Sequence, residues 1–230
     1  MGVSSLNTAL SGLRVAGQQI DVISGNVSNV GTPGFSRKIL PQATQSVNGI
    51  TVGVRADTII RQVDINLERD LWTQVSRVGL YDVQSEYLSR VEDFHGPPDA
   101  ELSISAEVAR LRDGFSELTD SPESSFLQTR VVDQAIDTAN QINELADLIT
   151  TLRNDAQNEI ENTVERVNGL LQQIAELNDQ VESQRSSGRS SALTEDTRSQ
   201  SIQELAELID ISFSSAATVS LWCRPMKGLS

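Results

Sequence analysis

"LRNDAQNEIENTVERVNGLLQQIAELNDQV", residues 152–181, sets Ile160, Val164, Val167, Leu171, Ile174 and Val181 at alternating steps of four and three, ending on a step of seven. That alternation keeps one side of an α-helix facing a single partner, so the stretch reads as a heptad seam on a long helix. The same spacing precedes it in Ala135, Ala139, Ile142, Leu145, Ile149 and Leu152. Further upstream, Ile104, Val108, Leu111, Phe115 and Leu118 form another seam. Between them "DSPES" (120–124) ends one helix and starts the next, with Ser121 as the cap and Pro122 at the first helical position. An earlier seam of Leu67, Leu71, Val75, Val78, Tyr81 and Leu88 stops at "HGPPD" (95–99). The seams over 100–181 predict mutual burial within one domain. The fold class is mainly α, an elongated helical bundle or coiled coil.

Toward the N-terminus, Leu6, Leu10, Leu13, Ile20 and Val27 share one seam, with Ala9, Ala16 and Ile23 beside it, and Ser4 or Ser5 caps its start. Gly12 and Gly17 on this helix cost about 1 kcal/mol each relative to alanine, so this amphipathic helix requires a partner. It breaks at "SGNVSNVGTPGFSRK" (24–38). "ITVGVRADTIIR" (50–61) then alternates Ile50, Val52 and Val54 with polar neighbours after the tight-turn pair Asn48-Gly49, which predicts a short hairpin-like arm. After the seams comes a Ser/Gly loop over 182–192, then a short helix through Ile202, Leu205 and Ile209. Ile209, Ile211 and Phe213 alternate as the start of a strand. From Ala216 onward the composition changes abruptly, which reads as an unusual native terminus or as a cut or out-of-frame end. The expected division is an axial helix and break over 1–35, an extended β-like arm over 36–64, a helical bundle over 65–213 and an atypical tail over 214–230.

Composition limits the chemistry. With 32 acidic against 18 basic residues and a net charge of −14, the chain repels phosphate backbones and carries no basic stripe for nucleic acid. Its only histidine, His95, lies in a helix-ending turn, and its only cysteine, Cys223, lies in the tail without a neighbouring base. A nucleophile–base pair, a zinc site and a phosphate-cradling glycine loop are therefore not expected. Carboxylates such as Glu159, Glu161 and Glu165 fall on solvated helix faces. No apolar run approaches the roughly 18 residues of a membrane span, and no cleavable secretory signal is readable. The expectation is a non-enzyme without cofactor, metal or membrane insertion.

The N-terminal motifs add a resemblance. "SSLNTALSGLRVAGQQIDVISGNVSNVGTPGFSRK" (4–38) resembles the N-terminal signature of bacterial flagellar axial proteins. In that family a heptad helix ends in Asn-x-x-Asn-x-x-Thr-Pro-Gly-aromatic, matched here by Asn26, Asn29, Thr32, Pro33, Gly34 and Phe35. Ser36-Arg37 resembles the hook-associated protein 1 branch, the first proteins of the hook–filament junction. So do "GVRADTIIRQVDINLERDLW" (53–72), with Arg61 and Asp64 at matching places, "SPESSFLQTRVV" (121–132) and the 152–181 coiled coil. Branch members usually carry Leu-Leu-Asp-x-Arg-Asp after the Ser/Gly loop; Asp196 and Arg198 match, whereas Thr194, Glu195 and Ser199 depart. Family members also continue into β-rich outer domains and a second heptad helix that packs on the first, and this chain stops before both.

The resemblance implies a structural role, as an adaptor at the hook–filament junction. It implies subunit assembly through Leu6, Leu10, Leu13, Ile20, Ile23 and Val27 together with Asn26, Asn29, Thr32, Pro33, Gly34 and Phe35. The implied partners are a homo-oligomeric ring, the hook protein, the next junction protein, and the flagellar export chaperone and apparatus. The implied location is the extracellular flagellum, reached by the flagellar type III pathway without a cleaved signal. Asn26 and Asn29 are expected to bond the carbonyls freed at the helix break. Phe35 is either an anchor between neighbouring subunits or an ordinary packing residue within one. The alternatives are another rod or hook axial protein, a cytosolic coiled-coil adaptor, or a truncated product without function.

Overall fold

The structure, a computed structural model, describes residues 2–97 and 103–211, with side chains from Ser5 onward. Its elements in chain order are α1 (Gly2–Ser28), β1 (Lys38–Ile39), β2 (Gln42–Val47), β3 (Ile50–Ala56), β4 (Ile60–Arg61), α2 (Ile65–His95), α3 (Ile104–Asp120), α4 (Ser125–Ser186) and α5 (Ala192–Leu208). The mainly α class expected from the seams is the class found. The described residues fall into two compact units, one within 1–78 and 165–230 and one within 79–164.

In the first unit, the core gathers Trp72 of α2, Leu170 and Ile174 of α4, and Ile202, Leu205 and Ala206 of α5, closed by Ile211. Val75, Val167, Leu171, Leu208 and Ile209 pack around it. Ile174, Ile202 and Leu205 are almost fully enclosed. Each contributes about 1.5–3 kcal/mol by removing its apolar surface from water. The Ser76 hydroxyl donates to the Ile209 carbonyl at 3.2 Å and fixes the residue that ends α5.

The β elements form two antiparallel ladders, β2 with β3 and β1 with β4. Asn48 and Gly49 both take positive φ, 51° and 78°, as a two-residue hairpin turn between strands of right-handed twist requires. The ladder shifts register between Gln45 and Ser46, and Lys38 and Ile39 pair with Arg61 and Ile60.

In the second unit, α3 begins at Ser103, whose hydroxyl accepts the Ala106 amide at 3.2 Å. It crosses α4 closely at Gly114, where an added Cβ would lie 2.2 Å from Gln134 Oε1 and 3.3 Å from Val131. The Arg130–Glu117 ion pair joins the same two helices. Arg90 and Tyr87 of α2 reach Asp155 and Glu159 of α4, each at 2.8 Å.

Several local expectations change. α1 begins at Gly2, so Ser4 and Ser5 lie inside it rather than capping it. The cap of α4 is Ser124, whose hydroxyl accepts from the Leu127 amide at 3.4 Å. Ser121 instead closes α3, and Pro122 sits in the turn. α4 runs through Ser186, so the loop before α5 is much shorter than 182–192. Side-chain packing explains this, because Val181 is buried and carries the helix past its polar end. Mutual burial over 100–181 is incomplete: Val108, Phe115, Ile142, Ile149, Ile160 and Val164 are exposed. Residues 209–211 form no strand, and Ile209 is instead the C-cap of α5, its amide bonded to the Leu205 carbonyl; Phe213 and the 214–230 tail lie outside the described residues.

Candidate assembly surface

α1 has two faces of different chemistry, and among the described residues the chain covers only one. Thr8 Oγ1 donates to the Val52 carbonyl at 2.9 Å, and the Val54 amide donates to Ser11 Oγ at 3.1 Å, seating α1 along β3. Gly53 lies between these two bonds, where a Cβ would come within 2.6 Å of Ser11 Oγ. Val15 is buried on this covered side. Leu6, Leu10, Leu13, Ile20, Ile23 and Val27 point elsewhere, each between 42% and 71% exposed. Single exposed apolar residues are ordinary, but six on one helix form a contiguous surface of the kind that marks an interaction site.

The break after α1 is internally satisfied. Asn29 Nδ2 donates to the Gly25 carbonyl at 2.9 Å, as expected for a helix end. Thr32 Oγ1 donates to Asn29 Oδ1 at 3.3 Å, and the Phe35 amide donates to the Thr32 carbonyl at 3.2 Å. Gly34 turns the chain at φ 76°, after the exposed Pro33. Asn26 departs from its expected role. Its amide nitrogen donates to the Lys38 carbonyl and its oxygen accepts the Lys38 amide, both at 2.8 Å. It therefore pairs α1 with β1 in the manner of a strand neighbour instead of bonding carbonyls of its own helix. Phe35 is half-buried, with Lys38 Nζ 4.6 Å from its ring centroid.

Behind the break lies a polar cluster that the sequence reading did not assemble. Lys38 forms an ion pair with Asp196 of α5. Ser36 donates to the same carboxylate through its amide at 3.2 Å and its hydroxyl at 2.5 Å. Arg61 of β4 reaches Glu195 at 3.1 Å, Glu68 at 3.2 Å, Asp196 at 3.6 Å and the Ser199 hydroxyl at 2.8 Å. Burial pushes the Glu195 carboxyl up, but hydrogen bonds from Ser191 and Arg185, with the charges of Arg185 and Arg61, hold it below the usual range. Arg198 bonds Asn178 at 2.9 Å, and burial lowers its guanidinium. The available signal was the set of matching positions Arg61, Asp196 and Arg198; the Arg61–Asp196 pairing spans more than 130 residues and has no period to reveal it.

Among the described residues, no group of three or more His, Cys, Asp or Glu gathers to hold a metal ion. No helix there is long and apolar enough to cross a membrane. His95 is exposed at the end of α2, and Cys223 lies outside the described residues.

Comparison with known proteins supplies the family. The profile described as "Flagellar hook-associated protein FlgK helical domain" matches residues 88–221, and that of "Flagella basal body rod protein" matches residues 6–35. The chain is similar to flagellar hook-associated protein 1 of Bacillus subtilis, 23% identical over 93% of this chain and 44% of the relative. It is similar to the Salmonella typhimurium protein of that name at 22% identity over 92% of this chain and 39% of the relative. The Escherichia coli protein is 21% identical over 92% of this chain and 40% of its own length. The chain thus spans under half the length of these curated relatives, and no solved structure matches it significantly. With the helical-domain profile covering more than half of its residues, the chain belongs to the FlgK family of flagellar hook-associated structural proteins.

Proposed function

We propose that this flagellar component is an adaptor at the hook–filament junction and that it assembles through the exposed face of α1. The observation carrying this reading is the division of α1. Polar contacts to β3 and the Asn26–Lys38 pair hold one face, leaving Leu6, Leu10, Leu13, Ile20, Ile23 and Val27 to solvent. A helix anchored on one side, with an apolar stripe on the other, suits packing against neighbouring axial helices.

In this reading, residues 1–35 are the assembling segment, 36–64 the arm that orients it, and 65–213 the helical body. Asn29, Thr32, Pro33 and Gly34 shape the exit from the helix, and Phe35 contributes to packing at the break. The partners are further copies in a ring, the hook protein and the next junction protein, after export by the flagellar pathway with its chaperone.

The test is Leu10→Asp with Leu13→Asp, followed by recovery of the chain in purified hook–basal bodies. Both positions are exposed in the isolated chain, so its helical circular dichroism should be unchanged while incorporation is lost. Normal incorporation of the doubly charged variant would remove the α1 face from the assembly surface.

A further inference from the structure

Lys38 is one of two lysines in the chain, and only 8% of it is exposed. A lysine is almost never buried unless its charge is matched, and here the match comes from an element remote in sequence. The segment from the break to β4, residues 29–61, contributes nothing to the apolar core of Trp72, Leu170, Ile174, Ile202, Leu205, Ala206 and Ile211, nor to the residues packed around it. A set of ion pairs and hydrogen bonds ties it to α5 and the preceding loop. Ser36 and Lys38 hold Asp196; Arg61 holds Glu195, Asp196 and Ser199; Thr58 and the Ile59 carbonyl bond Gly188 and Ser190.

We infer that residues 29–61 form an arm latched to α5 by the Lys38–Asp196 and Arg61–Glu195 pairs, which acid releases as one piece while the core beneath α5 stays closed. This conformational device is independent of what the α1 face binds. The asymmetry behind it is chemical. Leaving the latch breaks ion pairs and hydrogen bonds, whereas leaving the core exposes apolar surface, and only the first depends on protons.

The groups facing the α5 carboxylates fix the sign. Asp196 meets Ser36, Lys38 and Arg61, all from the arm. Glu195 meets Arg61 from the arm, Arg185 from the end of α4 and the Ser191 hydroxyl. Glu68 of α2 shares Arg61, and Arg198 is turned to Asn178. Losing the charges of Asp196 and Glu195 leaves Lys38 enclosed without its counter-charge and Arg61 with Glu68 alone, which expels the arm. Because the Glu195 carboxyl is held below its ordinary value, its share of the latch is present above that value, about 4.3, and is lost as pH falls through the folded value.

Hydrogen exchange at neutral pH on Asp196→Asn tests the latch. The arm amide that bonds the α5 carboxylate, that of Ser36, should exchange faster by on the order of 100-fold, the scale of an orphaned buried charge, while the β2–β3 ladder amides and those of 170–181 and 200–208 keep wild-type rates. Adding Lys38→Met removes the orphaned ammonium and should restore arm protection to within about tenfold. Unchanged arm exchange in Asp196→Asn, or equal acceleration in 200–208, overturns the inference. The unmodified chain provides a second arm to the test, free of folding risk in the variants. In a proton–nitrogen NMR titration from neutral to acid pH, the Ser36 and Lys38 amides should reach their released positions before those of Leu205 and Ala206 move. A single shared transition overturns it.

Discussion

Replacing Gly53 by alanine should loosen α1 from the hairpin, by an amount set by one serine hydroxyl. The new methyl would stand 2.6 Å from Ser11 Oγ and 3.3 Å from Ser11 Cβ, with no other atom nearer than the Gln45 side chain at 3.9 Å. The simplest relief is rotation of the serine. Rotation forfeits the bond that Ser11 Oγ accepts from the Val54 amide at 3.1 Å and the one it donates to the Thr8 carbonyl at 2.7 Å. Two bonds at about 1 kcal/mol each give about 2 kcal/mol. Alanine offsets this by roughly 0.5–1 kcal/mol, since Gly53 has no positive φ and glycine has more freedom to lose. The net weakening is therefore about 1–1.5 kcal/mol, or roughly tenfold faster exchange of amides in the α1–β3 seam. Ser11→Ala should cost a similar amount alone. In that background Gly53→Ala should stabilise by roughly 0.5–1 kcal/mol, because the hydroxyl it displaces is gone and only the alanine gain remains, giving a coupling of about 2 kcal/mol. Hydrogen exchange on the two single variants and the double variant measures this. Additive effects, or an unaltered rate in Gly53→Ala, would refute the claim that Ser11 bridges helix and strand.

Two further outcomes follow from the first unit. Leu205 is fully enclosed at 0% exposure, so Leu205→Ala should lower the urea unfolding free energy by about 2–5 kcal/mol. A loss under 1 kcal/mol would mean that α5 is not part of a close-packed core. Glu195→Gln should flatten part of the acid-side loss of stability measured by pH-dependent urea unfolding. Its folded carboxyl lies below the ordinary range and therefore stabilises above it, losing that share on acidification; an unchanged acid limb would contradict this assignment.

What was legible in the sequence was whatever repeats locally. Steps of three and four marked α2 through α4, and Asn48-Gly49 marked the hairpin with its two positive φ angles. The α1 stripe was legible as a stripe, and its six residues are exposed. Helix boundaries were less legible, because a buried side chain such as Val181 sustains a helix through residues that favour a loop. The seams also promised more burial than the second unit supplies, since periodicity states which side is apolar and not whether a partner covers it. The polar latch was illegible. Lys38 only closed the stretch 24–38 and Asp196 was one matching position, and their meeting depends on the tertiary path of the chain.

The most direct test of the α1 reading places a photo-crosslinking amino acid at Leu13, exposed on the free face, and irradiates purified hook–basal bodies. The account expects adducts joining this chain to a neighbouring flagellar subunit, with none from the same residue placed at the buried Val15. Crosslinks from position 13 only to residues of its own chain, in assembled structures, would contradict it.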